Sequence, residues 1–478
     1  MTRDDIDTTN QLMTNIKTAR GWLQLEDNVL STQVSTVVTQ LKELAEQAST
    51  GTYTAENRLQ MSFEARELFG SLLNLANTRY EGKSVFAGHQ YDDSAFDMGL
   101  GLTSWDKTWE SAVNNGHFVV SGDTSKTVLF QFTEDGVFGQ DAMAFRWTND
   151  GGKTWHEDVM NDPTLLEFDG VTITAQPSVD ENGNTYYEYI DEDGNVQRSP
   201  NGIPVKAATA DEKGNFKDGT TVSVRPTAIY NGDDNDPPVQ MTIMGTKDVT
   251  ANVEGEFKTN VLVRMDTEVD LAGGGEFVWS YSTDGGENWV TARGTAPGGG
   301  SLRLPVPGGY MDINEDGATK LNEGTQILAK PDRADLGYEI YDGTYVSVNG
   351  VGKDIFGGYY QGKPAIEGQE NLFEVVGAFI GYLETNNQEG CQRTLAALGV
   401  ADEHILTEAT RIGGKENRME VALNVMTYRL ADQKEQLSNV EDIDLTELMT
   451  KLSQQQITYQ AVLQASSNIM NLSLANYV

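Results

Sequence analysis

Met419-Glu420-Val421-Ala422-Leu423-Asn424-Val425-Met426-Thr427-Tyr428-Arg429-Leu430-Ala431-Asp432-Gln433-Lys434-Glu435-Gln436-Leu437 decides the fold. Steps of three and four from Met419 reach Leu423, Met426, Leu430, Gln433, Leu437 and Val440, which is the apolar seam of a coiled-coil helix. Helical spacing runs almost unbroken from Asp402 to Val478. After Glu441-Asp442-Ile443-Asp444 the seam resumes with Leu445, Leu448, Leu452, Gln455, Tyr459, Val462 and Ile469. A helix with so long an apolar face is not stable alone in water and requires a partner.

The opposite chain end has the same character. From Met13 the spacing gives Met13, Ile16, Arg20, Leu23, Asp27, Leu30, Val34, Val37, Leu41, Leu44 and Ala48, behind Asp4 and Asp5, whose charges suit a helix start. About 45 helical residues make a rod of roughly 65 Å. Ser49-Thr50-Gly51-Thr52 ends it, and Thr54 with Asn57 starts a second helix carrying Leu59, Phe63, Leu68, Phe69, Leu72, Leu73, Leu75 and Ala76. The two ends are expected to pair as an antiparallel rod, with Ile16, Leu23, Leu30, Val37 and Leu44 facing Leu423, Leu430 and Leu437.

Between Gly82 and about Gln369 the pattern changes to short alternating runs separated by Gly or Asn/Asp turns, the signature of antiparallel sheet. Such runs are Thr127–Phe132, Gly170–Thr174, Thr221–Val224, Val261–Arg264 and Thr344–Val348. Part of this region is duplicated. Phe145-Arg146-Trp147 followed by Thr148-Asn149-Asp150-Gly151-Gly152-Lys153-Thr154-Trp155 recurs as Phe277-Val278-Trp279 followed, two residues later, by Ser282-Thr283-Asp284-Gly285-Gly286-Glu287-Asn288-Trp289. The fold class that follows is α+β multidomain, a helical rod from both chain ends with inserted all-β domains. Its expected divisions are 1–90 (N-terminal part of the rod and a first β turn), 91–205 and 206–368 (two β modules), 369–440 (C-terminal part of the rod) and 441–478 (a terminal assembly helix).

Composition excludes several functions. With 34 Lys+Arg against 72 Asp+Glu the net charge is -38, spread along the chain, so no basic stripe can displace phosphate counterions. Neither nucleic acid nor membrane is an expected partner. No run of about 18 apolar residues is present, and the polar, acidic start from Met1 to Asp7 lacks the pattern of a cleavable secretory signal. The single cysteine, Cys391, excludes an internal disulfide and reads as a small apolar residue near a helix start. His89, His117, His156 and His404 show no zinc spacing, and neither a nucleophile elbow nor a phosphate-binding loop occurs. An enzyme is therefore not expected, and no catalytic, cofactor or metal residue is assigned.

Two motifs carry a second reading. Thr148-x-Asp150-x-Gly152-x-Thr154-Trp155 resembles the Asp-box of sialidases and other carbohydrate-active propellers, and Ser282-x-Asp284-x-Gly286-x-Asn288-Trp289 nearly does. Physically it is a turn whose Asp accepts backbone N–H groups above a packed Trp, a folding device, although a secreted glycan-binding protein remains an alternative. Asp312-Ile313-Asn314-Glu315-Asp316-Gly317 with Glu323 satisfies a calcium-loop pattern. Pro305, Pro307 and Gly308-Gly309 forbid the helix that should precede it, so an Asx turn is the favoured reading and calcium the alternative. Asp180-Glu181-Asn182-Gly183-Asn184 and Asp191-Glu192-Asp193-Gly194-Asn195 read as hairpin turns around a strand.

Leu445-Thr446-Glu447-Leu448-Met449-Thr450-Lys451-Leu452-Ser453-Gln454-Gln455-Gln456, Leu463-Gln464-Ala465-Ser466 and the ending Leu472-Ser473-Leu474-Ala475-Asn476-Tyr477-Val478 resemble the C-terminus of bacterial flagellins and their hook-associated relatives. Asn74-Leu75-Ala76-Asn77 and Lys83-Ser84-Val85-Phe86-Ala87-Gly88-His89-Gln90-Tyr91 are similar to that family's passage from helix to first β turn. The resemblance covers residues 4–96 and 400–478. It implies a structural, self-assembling protein of the bacterial flagellum, extracellular and exported without a cleavable signal. The hook-filament junction is the favoured place and the filament itself the alternative. Its implied partners are copies of itself, neighbouring hook-associated proteins and flagellin, and an export chaperone. Leu452, Tyr459, Val462 and Ile469 would dock among neighbouring subunits. Family members begin with a further N-terminal segment that pairs with this last helix, so the helix from Leu445 onward is expected to lack an intrachain partner.

Overall fold

The computed structural model describes residues 2–179, 184–234, 239–255, 257, 259–317, 319–331, 334–441 and 445–475. The protein is an α+β chain with helices at both ends and a β-rich middle. Its helices are α1 (Thr2–Asp27), α2 (Ser35–Ser49), α3 (Ala55–Ala76), α4 (Lys107–Asn114), α5 (Gly352–Phe356), α6 (Leu372–Glu384), α7 (Gln388–Glu441) and α8 (Leu445–Ala475). Asp4 and Asp5 occupy the first turn of α1. Thr54 and Asn57 form a reciprocal capping box on α3, as their spacing requires. The chain divides into two compact units, one comprising Met1–Gln24, Gly337–Val348 and Gly413–Val478, the other Leu25–Leu336 and Asn349–Ile412.

In the first unit α1 buries Leu12, Ile16, Ala19, Trp22 and Leu23, and α7 buries Met419, Ala422 and Met426. The strands Gly337–Tyr341 and Thr344–Ser347 form an antiparallel hairpin. It is fastened by Asn15 Nδ2 donating to Glu339 O (3.3 Å) and Lys415 Nζ donating to Ser347 Oγ (2.9 Å).

The second unit holds two β cores. The strand Thr221–Tyr230 is the spine of the first, pairing with Phe96–Ser104 from Val222 opposite Ser104 to Tyr230 opposite Phe96. It also pairs with Val128–Phe132, and the sheet continues through Ala144–Thr148 to His156–Val159. Its aromatic centre is Trp109, Phe118, Phe130, Phe132 and Phe138. Trp109 comes from α4, a helix set into the β region, capped by Asp106 and burying Trp109, Ala112 and Val113 at helical spacing. The second core joins a five-stranded sheet containing Val261–Met265, Gly275–Ser282 and Val290–Ala296 to a three-stranded one. In Ser301–Val306 of the latter, Leu302, Leu304 and Val306 are buried while their neighbours are exposed, the period-two pattern of a half-buried strand. Val222 and Val224 belong to the first core, so the second begins beyond residue 224 and the expected division at 205/206 is too early. The reason is the long-range pairing of Thr221–Tyr230 with Phe96–Ser104.

In the same unit α6 lies on the strand Thr221–Tyr230. A Cβ at Gly377 would sit 2.2 Å from Pro226 O, so only glycine permits this approach.

Candidate assembly interface

The helical ends build the candidate interface. In the first unit their pairing is marked by polar contacts. Thr9 Oγ1 donates to Gln433 Oε1 (2.9 Å), Gln24 Nε2 donates to Glu416 Oε1 (2.8 Å), and Arg20 lies 3.7 Å from Glu416 and 4.0 Å from Glu420. Rising numbers on α1 meet falling numbers on α7, so the pair is antiparallel. Ile16 and Leu23 are buried, whereas Leu423, Leu430 and Leu437 are half-buried at the edge of the seam held by Met419, Ala422 and Met426.

In the second unit Lys42 Nζ pairs with Asp402 at 2.6 Å, and Ile405, Ala409 and Ile412 of α7 are buried. Leu30 and Leu44 are buried, but Val37 is only half-buried and Val38 takes the inward place. A π-helical stretch, Asn28–Val34, joins α1 to α2 and buries Val29, Leu30 and Val34, and beyond it Leu41, Leu44 and Ala48 keep the expected inward places.

α8 presents the opposite situation, because every side chain from Thr446 to Met470 is exposed. Leu452 is 52 %, Tyr459 67 %, Val462 60 % and Ile469 67 % exposed. Leu448, Met449, Leu463 and Met470 extend the same face. The helix places them as a broad apolar stripe interrupted by Gln455 and Gln456. The side chains of Val440, Leu445 and the residues after Met470 lie outside the described residues.

The duplicated turns share one hydrogen-bond pattern, with the Asn288 side-chain amide in the place of the Thr154 hydroxyl. Thr148 Oγ1 donates to Asp150 (2.8 Å) and accepts Gly152 N–H (3.1 Å), while Thr154 donates to Asp150 from its backbone N–H (2.9 Å) and its hydroxyl (2.6 Å). Ser282, Asp284, Gly286 and Asn288 repeat each bond. Gly151, Gly152, Gly285 and Gly286 have φ of 71, 89, 75 and 100°, which explains the paired glycines. Cross-strand register puts Arg146 opposite Gln131 and Ser280 opposite Arg264, so Trp147 corresponds to Tyr281 rather than to Trp279. The guanidinium over the box tryptophan therefore comes from opposite members of this cross-strand pair, Arg146 at 5.3 Å from Trp155 and Arg264 at 4.4 Å from Trp289. With these partners the tryptophans act as turn packing.

Burial works to raise the Asp150 carboxyl, but hydrogen bonds from Thr154 and Thr148 hold it down at about 2, against an ordinary 3.8. The backbone of Asn288, then Ser282, bring Asp284 to about 2 as well. A depressed carboxylate stabilises the fold fully above its unfolded value and loses that contribution as pH falls from about 4 through 2. Asp150→Asn and Asp284→Asn are therefore expected to speed amide exchange at Thr154 and Asn288 several-fold at pH 7 and to remove this acid dependence from the turns. Exchange unchanged from wild type would show that the carboxylates do not hold them.

The other candidates have ordinary partners. Asp312 lies in the strand Gly309–Glu315 and its carboxylate accepts from Arg303 Nε (2.6 Å) and Nη2 (2.7 Å), engaging the first position of the calcium pattern. Among the described residues no group of three or more His, Cys, Asp or Glu is placed to hold a metal. Burial pushes the Cys391 thiol up to about 12, so it is an unreactive core residue. His89 and His404 meet the carbonyls of Asp335 and Asp354, and His156 stacks on Trp147. Asp180 to Gly183 lie outside the described residues, while Asp191 Oδ1 accepts Asn195 N–H (2.8 Å) in the expected second turn. No helix among the described residues is long and apolar enough to cross a membrane.

Residues 1–91 match the family described as the bacterial flagellin N-terminal helical region. Flagellar hook-associated protein 3 of Salmonella typhimurium is 28% identical over 117 residues, 24% of this chain and 37% of that protein. Its namesake in Escherichia coli is 29% identical over 124 residues, 26% of this chain and 39% of that protein. The match thus spans 37% and 39% of these relatives' own length. Among solved structures, flagellar hook-associated protein 3 of Legionella pneumophila is 13% identical, with 93% of this chain and 99% of that chain covered at a TM-score of 0.33. FlgL of Xanthomonas campestris is 12% identical, with 91% and 100% covered at a TM-score of 0.26. The chain is thus similar to bacterial flagellins in its N-terminal helical region, residues 1–91, and to flagellar hook-associated protein 3 over about a quarter of its length.

Proposed function

We propose that the chain is a structural subunit at the hook-filament junction of the bacterial flagellum, acting by subunit packing and not as an enzyme. The observation that carries this reading is α8, a helix of 31 residues whose described side chains from Thr446 to Met470 are all exposed along with their apolar stripe. A contiguous exposed apolar face of this kind marks an interaction surface. In the proposal Ile16, Leu23, Leu423, Leu430 and Leu437 hold the first unit together, and Leu30, Val37 and Leu44 serve the second. Leu452, Tyr459, Val462 and Ile469 dock among neighbouring copies, other hook-associated proteins and flagellin. An export chaperone covers the stripe before assembly, and the protein works outside the cell.

Gold-conjugated antibody against the β cores, viewed on intact cells by electron microscopy, tests the location. A single spot where hook meets filament is expected. Label along the whole filament would make the chain a filament subunit, and label on the cell surface away from flagella would overturn the reading.

A further inference from the structure

The strand Thr185–Ile190 is paired on one edge with Val196–Ser199, from Tyr187 opposite Ser199 to Ile190 opposite Val196. On its other edge Ser178–Val179 covers only Tyr186 and Thr185. The backbone groups of Glu188 and Ile190 on that edge need partners of another kind. Three side chains supply them. Asn115 Nδ2 donates to Glu188 O (2.9 Å), Glu188 N–H donates to His117 Nε2 (2.7 Å), and Ile190 N–H donates to Ser111 Oγ (2.7 Å). Ser111 stands on α4, Asn115 is its C-cap, and His117 follows two residues later. Helix and histidine together stand in for the missing strand.

His117 is 1 % exposed, and both its ring nitrogens are committed. Nδ1 lies 3.0 Å from Gln176 O, an atom that can only accept, so Nδ1 carries the proton. Glu188 N–H can only donate, so Nε2 must be bare. The backbone thereby selects one neutral tautomer. Protonation of Nε2 would set two N–H groups against each other, ending the bond to Glu188. The ring also meets Tyr187 from the same strand (centroids 5.5 Å), the Glu188 carboxylate, which is ion-paired with Arg198 at 2.6 Å, and the charge of Lys363 from the strand Lys363–Pro364. Burial is the largest influence and pulls the imidazole below its ordinary 6.5. The Gln176 carbonyl opposes it, Lys363 assists it, and the Glu188 carboxylate opposes it.

We propose that His117 is an acid-sensitive latch: neutral, it closes the edge of Thr185–Ile190 against the loop after α4, and protonated at Nε2 it lets go of Glu188 and opens that edge. Because the folded value is depressed, the latch holds fully above about pH 6.5 and weakens as pH falls from there through the folded value. Opening would uncover Tyr187, which is 6 % exposed and part of the first β core. The β surface of the protein would then differ between neutral and acidic surroundings while the helical ends stay folded.

Amide exchange of the full chain at pH 7.5 and pH 5.0, corrected for intrinsic exchange rates and read on peptides covering 184–190, tests this. The latch predicts more frequent opening at pH 5.0, up to about tenfold for each unit by which the folded value lies below the ordinary one. His117→Gln, which can donate and accept at any pH, should abolish the difference, whereas Ser111→Ala should loosen the strand equally at both pH values. Equal protection of the wild type at both pH values, or an unchanged pH step in His117→Gln, would overturn the proposal. Should the glutamine variant fail to close, NMR titration of the His117 ring in the wild type decides. A ring that titrates without any change in Glu188 amide exchange is no latch.

Discussion

Leu452→Asp is expected to leave the melting temperature and secondary structure of the isolated chain unchanged and to abolish its incorporation into flagella. Leu452 is 52 % exposed in the single chain, so the substitution disturbs no core. In an assembly the same leucine would be buried. Burying a leucine contributes about 1.5–3 kcal/mol, and a carboxylate in its place adds the larger cost of desolvating an unpaired charge. Repeated at every subunit contact, that loss is decisive for a structure built by packing alone. Two variants frame the result. Gln454→Asp, outside the apolar stripe of α8, should assemble. Met426→Asp, at a position 1 % exposed on α7, should destabilise the first unit itself. If Leu452→Asp melted the chain, or if it assembled normally, α8 would not be the assembly helix. Purified protein gives the first readout, and motility with electron microscopy of a complemented deletion strain gives the second.

The helical ends were legible because an apolar residue every three or four positions has few other solutions. The seam could be followed through Ile16, Leu23, Leu30 and Leu44, while at Val37 the inward place falls to its neighbour Val38. Composition does not disclose that choice, since two adjacent valines suit an apolar seam equally well. The strands were legible one by one, but their partners were not. Thr221–Tyr230 pairs backward with Phe96–Ser104, and nothing in either segment's alternation states that choice, so the division between the β cores was read too early. The repeated turns could be seen as a motif, whereas the correspondence of Trp147 with Tyr281 needed the cross-strand register. His117 was visible only as a histidine without zinc spacing. Its meaning comes from Gln176 and Glu188, which lie 59 and 71 positions away. Local periodicity reports which face is buried, and long-range contacts report what the buried polar groups are for.

The same limit hid Arg225 and Glu374, 149 positions apart, where the largest loss of stability from a single substitution is expected. The Arg225 side chain is 3 % exposed and that of Glu374 14 %. Nη1 and Nη2 of the arginine donate to the two carboxylate oxygens at 2.8 and 2.5 Å, Nε donates to Thr103 Oγ1 at 2.8 Å, and Thr227 donates its hydroxyl to the carboxylate. Burial works against the guanidinium's charge, but Glu374 holds its pKa above the ordinary arginine value. Glu374→Ala leaves that charge buried without a counterion, and about 3–5 kcal/mol of stability should be lost. Arg225→Met with Glu374→Leu removes both charges and should recover much of the loss, because a well-packed apolar pair replaces a buried ionic one at little cost. Lys42→Ala, which breaks the partly exposed pair with Asp402, should stay within about 1 kcal/mol. Chemical denaturation followed by tryptophan fluorescence, with amide exchange on α6, measures all three. A Glu374→Ala chain as stable as wild type, or a double variant no better than the single one, would show that the pair is not what secures the helix. The pair joins α6 to the strand Thr221–Tyr230, against which Gly377 also lets the helix settle. At the other end of α6 the Glu384 carboxylate accepts from Thr127 N–H, just before the strand Val128–Phe132, and from Arg66 of α3. Apolar packing at this contact would tolerate sliding of helix on strand, whereas the Arg225–Glu374 pair at one end of α6 and the Thr127 N–H bond to Glu384 at the other permit one position, so these polar contacts set the seating of α6 on the first β core.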